Sequence, residues 1–323
     1  MISRRLVVAG AVLTVGVPAA KAIDNDFAVW LQGVRKDAQA QGIGPGTLDR
    51  ALADVAPIPH IIELDRHQPE TSLTFSDYMA RVVTPQRQQD GRERLQENRA
   101  LLDDVGRRYG VAPQFITALW GVETDFGRVT GDYPVIPALA TLAYDGRRPA
   151  FFRHELINAL LIVDREHIDP HRMLGSWAGA MGQSQFMPSS FLTYAVSYRG
   201  TAAPDIWNRR DDVFASIANY LSQVGWRRGE GWGEQVSLPP GFDAASAQAG
   251  GRKTLEQWKA LGVRRVDGNS LAATAGDAAL ILPEGPTGAA FLGYDNYRAL
   301  LKWNNSSYFA IAVGNLADDF ARG

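Results

Sequence analysis

Residues 113–127, Pro-Gln-Phe-Ile-Thr-Ala-Leu-Trp-Gly-Val-Glu-Thr-Asp-Phe-Gly, constrain the fold of this chain more than any other stretch. Pro113 suits a first helical position, where its missing N–H leaves nothing unpaired. Phe115, Leu119, Trp120 and Val122 spread apolar surface around the helix rather than along one stripe. A helix of that kind belongs inside a layer of other elements. Gly127 is expected to close it, because glycine takes the left-handed conformation at little cost. Glu123 then falls at the end of an apolar helix, where aromatic bulk limits its hydration. Poor hydration disfavours a carboxylate and raises its pKa toward the range of a proton donor. The competing reading is a solvated glutamate on the polar face of a core helix.

The 323 residues suffice for a large core and two or three domains. A formal charge of −2 gives no basic field for nucleic acid. Residues 1–22 read as an export signal: Arg4-Arg5, an apolar run from Leu6 to Val17, and the small-x-small site Ala20-Lys21-Ala22. Export through the Sec route, or through the twin-arginine route given Ser3-Arg4-Arg5, is expected. With no cysteine, neither a disulfide nor a lipid-bearing thiol is available. The expectation is a soluble periplasmic protein without a membrane anchor.

Helical spacing dominates residues 23–108, with Phe27, Trp30, Leu31 and Val34 on one face and a long polar helix from Arg87 to Arg108. The segment 109–228 carries the Glu123 helix, a loop through Tyr133-Pro134 and a helix opened by Arg147-Arg148-Pro149. The small-residue stretch Gly175-Ser-Trp-Ala-Gly-Ala-Met-Gly-Gln-Ser-Gln-Phe-Met-Pro-Ser-Ser-Phe191 follows. Glycines and alanines among large residues there imply close backbone approach. From 229 to 293 the texture is that of a small β-containing insertion. Short strands are expected at Gln235–Leu238, Val263–Val266, Ala278–Leu282 and Ala289–Leu292, with one helix near Leu255–Leu261. Helical spacing returns over 294–323.

Several chemistries are excluded. His167 and His171 have the spacing of a metal pair, but Pro170 breaks the helix between them. His154-Glu155 begins like a zinc motif, yet Asn158 stands where histidine is needed. Gly182-Gln-Ser-Gln-Phe186 lacks the second glycine of a nucleophile elbow. Carboxylate chemistry in aromatic surroundings survives.

Glu123-Thr-Asp-Phe-Gly127 together with Gly179-Ala-Met-Gly-Gln-Ser-Gln-Phe-Met-Pro-Ser-Ser-Phe191 resembles the lytic murein transglycosylases of the MltB type. The resemblance runs from about Tyr78 to Asn315. It implies a mainly α (α+β) fold, in which a goose-lysozyme-like helical core carries an N-terminal helical domain and a small β-containing insertion. It implies non-hydrolytic cleavage of the β-1,4 MurNAc–GlcNAc bond of peptidoglycan, giving 1,6-anhydromuramoyl ends. Glycosidases ordinarily use two carboxylates, with substrate-assisted enzymes among the exceptions. Asp125, Asp132 and Asp145 offer no convincing second one, so Glu123 is expected to act as both acid and base, helped by the substrate N-acetyl group.

Carried over residue by residue, Ser176 and Gln185 line the cleft near the acid, Ser176 holding either the N-acetyl group or Glu123. Asn304 lies near the acid, Tyr78 and Tyr220 are aromatic cleft positions, and Arg147 and Arg148 form a basic pair for stem-peptide carboxylates. Without the family, these positions read as a helix cap, a satisfied amide, core tyrosines and a solvated loop. Three positions depart from the pattern. Gln183 stands where an aromatic or apolar residue is common, so one sugar contact is altered. Trp303 and Phe309 replace tyrosines, which keeps stacking but is expected to lose the hydroxyl hydrogen bonds. The family's calcium loop falls at Ser197-Tyr-Arg-Gly-Thr-Ala-Ala-Pro-Asp205, where only Asp205 is acidic, so no calcium and no other cofactor is expected. The implied partner is the peptidoglycan glycan strand, and the sequence names no partner in the cell-wall machinery. The altered positions leave a catalytically silent wall-binding or scaffolding protein as one alternative, and a hydrolytic muramidase is the other.

Overall fold

A computed structural model describes residues 17–66, 73–165, 167–200, 203–271 and 276–322. Most of the expected export signal over 1–22 lies outside them; a helix backbone runs from Val17 to Ala40. No helix among the described residues is long and apolar enough to cross a membrane.

The apolar stretch forms the helix Pro113–Thr124, with Phe115, Ile116, Ala118, Leu119 and Trp120 buried. Four helices surround it: Pro85–Glu97, Arg99–Tyr109, Arg210–Gln223 and the C-terminal Ser307–Phe320. A helix apolar on all sides is thereby covered on all sides. The chain end is thus part of the core. Its fit is tight at Gly91, where a Cβ would stand 1.9 Å from the Phe320 ring.

Two local expectations are corrected. The polar helix expected from Arg87 to Arg108 is two helices, Pro85–Glu97 and Arg99–Tyr109. The break is at Asn98 (φ −105°, ψ 13°), whose amide donates to the Arg94 carbonyl at 2.7 Å and accepts from Arg210 Nη1 at 3.0 Å. A side chain that satisfies backbone groups in this way competes with continued helix. The central helix also stops before Gly127. Asp125 and Phe126 already adopt left-handed backbone (φ 52° and 59°), with Asp125 N–H donating to Gly121 and Phe126 N–H to Trp120.

One apolar core runs through the N-terminal helices and the helices around Pro113–Thr124. The insertion builds its own around Trp258, Val263, Leu280 and Leu292. There a five-stranded antiparallel sheet has the order Lys253–Thr254, Asp277–Ile281, Ala290–Gly293, Gly233–Ser237, Arg264–Arg265. Its helix Leu255–Ala260 starts with a reciprocal cap between Thr254 and Gln257. The edge strand Lys253–Thr254 and the helix Ala244–Ala249 went unanticipated, being too short for a periodic signal. So did the pairing of Tyr133–Pro134 with Leu174–Gly175, which ties the loop after Glu123 to the small-residue stretch.

Candidate active site

Glu123 is half-buried in the last turn of its helix. The indole Nε1–H of Trp303 donates to Glu123 Oε1 at 2.6 Å. Without a hydroxyl, Trp303 thus still offers a hydrogen-bond donor to the carboxyl. Trp303 ends the helix Asp295–Trp303 and is wedged between Phe186 (ring centroids 5.3 Å apart) and Tyr220 (4.7 Å). Tyr220, only 8% exposed, donates its hydroxyl to the Lys302 carbonyl at 2.6 Å. Burial, helped by the neighbouring Tyr194, pushes its phenol up to about 12, so it stays a neutral donor at physiological pH. The tyrosine anchors the segment that delivers Trp303.

The small-residue stretch folds back on itself beside this cluster. Gly175 bridges Met181, and Met181 bridges Phe186. Ser176 N–H donates to Ala180 O at 2.8 Å, and Ser176 Oγ accepts from Ala180 N–H at 3.1 Å. At Gly179 (φ 85°) a Cβ would stand 2.4 Å from Leu139, which explains the glycine. Gln185 is left-handed (φ 49°), and its amide donates to Thr130 O at 3.1 Å and Gly182 O at 2.9 Å. Asp125, Phe126 and Gln185 are the non-glycine residues with positive φ among the described residues, and they flank Glu123 on one side and Phe186 on the other. Such conformations cost about 1–3 kcal/mol each and persist only where surrounding structure enforces them. Their grouping singles out this region.

Gln183 proves to be a bracket. Its Oε1 accepts from Trp120 Nε1 at 3.0 Å and its Nε2 donates to Trp207 O at 2.9 Å, so both ends of the amide are held by protein. Thr124 Oγ1 donates to the Gln183 carbonyl at 2.9 Å, joining the end of the glutamate helix to the same residue. Asp125 is turned toward Arg128 (2.8 Å) and Arg87 (3.8 Å), not toward Trp303.

These observations meet known proteins at one point. The chain matches the family described as "Transglycosylase SLT domain" over residues 26–318. It is 30% identical over 307 residues to membrane-bound lytic murein transglycosylase B of Escherichia coli (strain K12), covering 90% of this chain and 82% of that protein. The chain belongs to the MltB-type lytic transglycosylases. Among solved structures it resembles SltB3 from Pseudomonas aeruginosa in complex with NAG-anhNAM-pentapeptide, with TM-score 0.88 and 43% identity over 92% of this chain and 80% of that one. Soluble lytic transglycosylase SltB1 from the same organism matches with TM-score 0.78 and 31% identity, over 90% of this chain and 98% of that one. The mainly helical fold is that of these enzymes of peptidoglycan.

Within that family's pattern, the remaining positions sort by what they touch. Asn304 is exposed and follows Trp303 directly, its N–H closing the helix onto Leu300 O at 3.0 Å. Phe309 is corrected: it is 4% exposed and packs in the core as part of the C-terminal helix. The aromatic beside Tyr78 is Tyr308, at 5.7 Å between ring centroids, with Phe75 behind it at 5.2 Å. The apolar stripe Phe309, Val313, Leu316 and Phe320 could have revealed this, since consecutive helical residues point about 100° apart.

The basic pair is used within the protein. Arg147 donates to the buried Asp65 from its backbone N–H (3.0 Å), Nε (3.3 Å) and Nη2 (3.2 Å), while Arg148 lies over the Phe151 and Phe152 rings at 5.0 and 5.2 Å. Arg147 makes these contacts with 55% of its side chain still exposed, and Arg148 is exposed as well. Burial pushes the Asp65 carboxyl up, but the hydrogen bonds and charge of Arg147, with help from Arg148, outweigh it and hold it below the usual range. A depressed folded-state pKa contributes stability above the unfolded value of about 3.9 and loses it as pH falls through the folded value. Arg147→Ala is expected to cost about 1–3 kcal/mol at neutral pH. In denaturant titrations that difference should shrink below about pH 4; a difference independent of pH would assign it to packing.

Near the loop that aligns with the family's calcium site, the acidic side chains Asp211 and Asp212 are engaged within the protein. Asp212 accepts from Tyr198 N–H at 2.7 Å and Asp205 N–H at 2.9 Å, with Arg209 at 3.5 Å, and Asp211 pairs with Arg199 at 3.0 Å. Guanidinium groups take up carboxylates that a cage of six to eight oxygens would need. No group of three or more metal-binding side chains occurs among the described residues.

Proposed function

We propose that the chain cleaves the β-1,4 bond between MurNAc and GlcNAc without water, through Glu123 alone. Protonated Glu123 donates to the leaving glycosidic oxygen as the C1–O4 bond breaks, and the substrate's own N-acetyl oxygen stabilises C1. The C6 hydroxyl then forms the O6–C1 bond and returns its proton to Glu123. No water is consumed, and the enzyme regains its starting protonation. A nucleophile tethered in the same sugar has a high effective concentration, which lets it outcompete solvent.

The observation that carries this reading is the Glu123 carboxyl held by Trp303 at the edge of an aromatic cluster, with the nearest carboxylate in sequence, Asp125, spent on arginines. The SltB3 complex with an anhydromuramoyl peptide supports the product class by kinship. Ser176, Gln185, Asn304 and Tyr78 remain in the proposal as sugar-facing neighbours, and calcium has no part in it. Export on residues 1–22 belongs to the same reading, because the wall lies beyond the cytoplasmic membrane.

The test is digestion of purified sacculi by protein isolated from cells, with a chelator present throughout. The protein should begin at Ile23, and its muropeptides should be lighter by one water than lysozyme products. Reducing ends alone would make the enzyme a hydrolytic muramidase. Binding with no release would make it a silent wall-binding protein.

A further inference from the structure

A cavity of about 450 Å³ opens beside the strand pair that follows Glu123, with Thr130, Arg172, Leu174, Asp205 and Trp207 in its wall. That is the size of a small-ligand site. Its charges do not cancel one another. Asp205 Oδ1 accepts from the N–H groups of Trp207 (3.0 Å) and Asn208 (2.9 Å), and Asp169 caps the turn Pro170–Arg172 by accepting from His171 N–H at 2.9 Å. Neither carboxylate meets a cationic side chain among the described residues, and Arg172 meets no carboxylate there. An anion in the cavity would face Asp169 and Asp205, and a cation would face Arg172. A neutral polyhydroxyl ligand suits both, because each hydroxyl donates and accepts. We propose that this cavity is a second glycan-binding site, taking a sugar unit of the wall strand. The inference rests on the reading of that strand as substrate, and it adds a site that none of the residues carried over from the family lines.

Trp207 supplies the apolar half of such a site. Sugar rings present C–H faces, which pack on the flat surface of an aromatic ring. The indole is half-buried and held on three sides. Its Nε1–H donates to Leu174 O at 2.9 Å, its carbonyl accepts from Gln183 Nε2 at 2.9 Å, and Phe191 backs the ring at 5.7 Å between centroids. With the N–H spent inside the protein, the ring has only its apolar surface to offer a ligand. Leu174, 39% exposed, extends that surface. The cavity is also tied to the acid. Gln183 joins Trp207 to Trp120 in the glutamate helix, Gln185 donates to Thr130 O at 3.1 Å, and Phe186, next in the chain, packs on Trp303. A sugar seated there is held against the turn that leads to Trp303.

The experiment follows the indole N–H resonances of the isotope-labelled exported protein as the trimer of N-acetylglucosamine, which carries no peptide, is added. Spectra of Trp207→Phe and Trp303→Phe assign the two signals that matter. Trp303 reports the surroundings of Glu123, and Trp207 reports the cavity. Both signals should move and saturate. Arg172→Ala should weaken the Trp207 response about tenfold and leave the Trp303 response as it is. The Arg172 side chain has no partner among the described residues, so this variant should melt like wild type. A Trp207 signal that stays in place while Trp303 moves overturns the second site and leaves the proposed function standing. Equal Trp207 responses in wild type and Arg172→Ala overturn it too, since they would mark a relay through Gln183. A Trp207 shift produced by free stem peptide, and not by the trimer, makes the cavity a peptide site and overturns it as well. If neither signal moves, the reading of the glycan strand as substrate falls with it.

Discussion

Glu123→Gln should reduce muropeptide release by at least about 10²- to 10⁴-fold, the usual contribution of a general acid–base group. Glutamine matches glutamate in shape, and its amide oxygen can still accept from Trp303 Nε1. Lost are the proton to donate and the carboxylate to take it back. The same change should leave the melting temperature level or slightly raised. Glu123 sits in the last turn of the helix Pro113–Thr124, where the negative end of the helix dipole disfavours negative charge by about 0.3–1 kcal/mol. A carboxylate kept at the wrong end of a helix dipole is what a functional residue looks like when stability is traded for activity. The variant is to be measured on sacculi by mass spectrometry and by thermal melting. Wild-type release would remove Glu123 from the mechanism, and inactivity with a collapsed melting temperature would mark it as structural.

Gly131→Ala should be the most damaging single-methyl change near the site. Gly131 has φ 87°, and an added Cβ would stand 2.2 Å from the Gly175 carbonyl oxygen and 2.6 Å from the Ser176 nitrogen. Those are backbone atoms at the start of the stretch that leads to Phe186, and they cannot swing aside as a flexible side chain would. Left-handed strain and overlap together should cost about 4 kcal/mol, the upper tail for point changes, and lower the melting temperature by on the order of 10 °C. Activity should fall as well, since Thr130, next to Gly131, accepts the Gln185 amide. Gly46→Ala is the control, because its Cβ meets nothing within 4 Å and its φ is not positive. If both variants melt alike, the contact between the two loops is not the reason for glycine at 131.

Much of the fold is legible in residue order because it follows from local rules. An apolar helix opening at Pro113 follows from spacing and from a residue suited to its start, while its stop at Thr124, ahead of Gly127, came from the structure. The insertion is visible as a change from 3.6-residue to two-residue periodicity. Errors fall where a local rule was outvoted by a distant group. Asn98 breaks a helix that composition would continue, and one of the bonds that hold it there comes from Arg210. Arg147 is a solvated basic residue by composition and an ion-pair partner of a buried aspartate in space. Phe309 was read by motif position, whereas its place in the helix stripe sends it into the core.

Residue order alone determined that one carboxylate would end an apolar helix and that the glycine-rich stretch would pack its backbone closely, which follow from side-chain size, backbone freedom and periodicity acting over a few residues. That the two motifs point to wall-cleaving enzymes came from their resemblance to a known family. The tertiary structure alone decided which group would hold that carboxylate, because Trp303 lies 180 residues away in sequence. It also decided that Gln183 braces Trp120 and that Tyr308, not Phe309, stands beside Tyr78. Such pairings depend on how whole helices pack, and no local preference encodes a distance between two helices that meet only when the core closes.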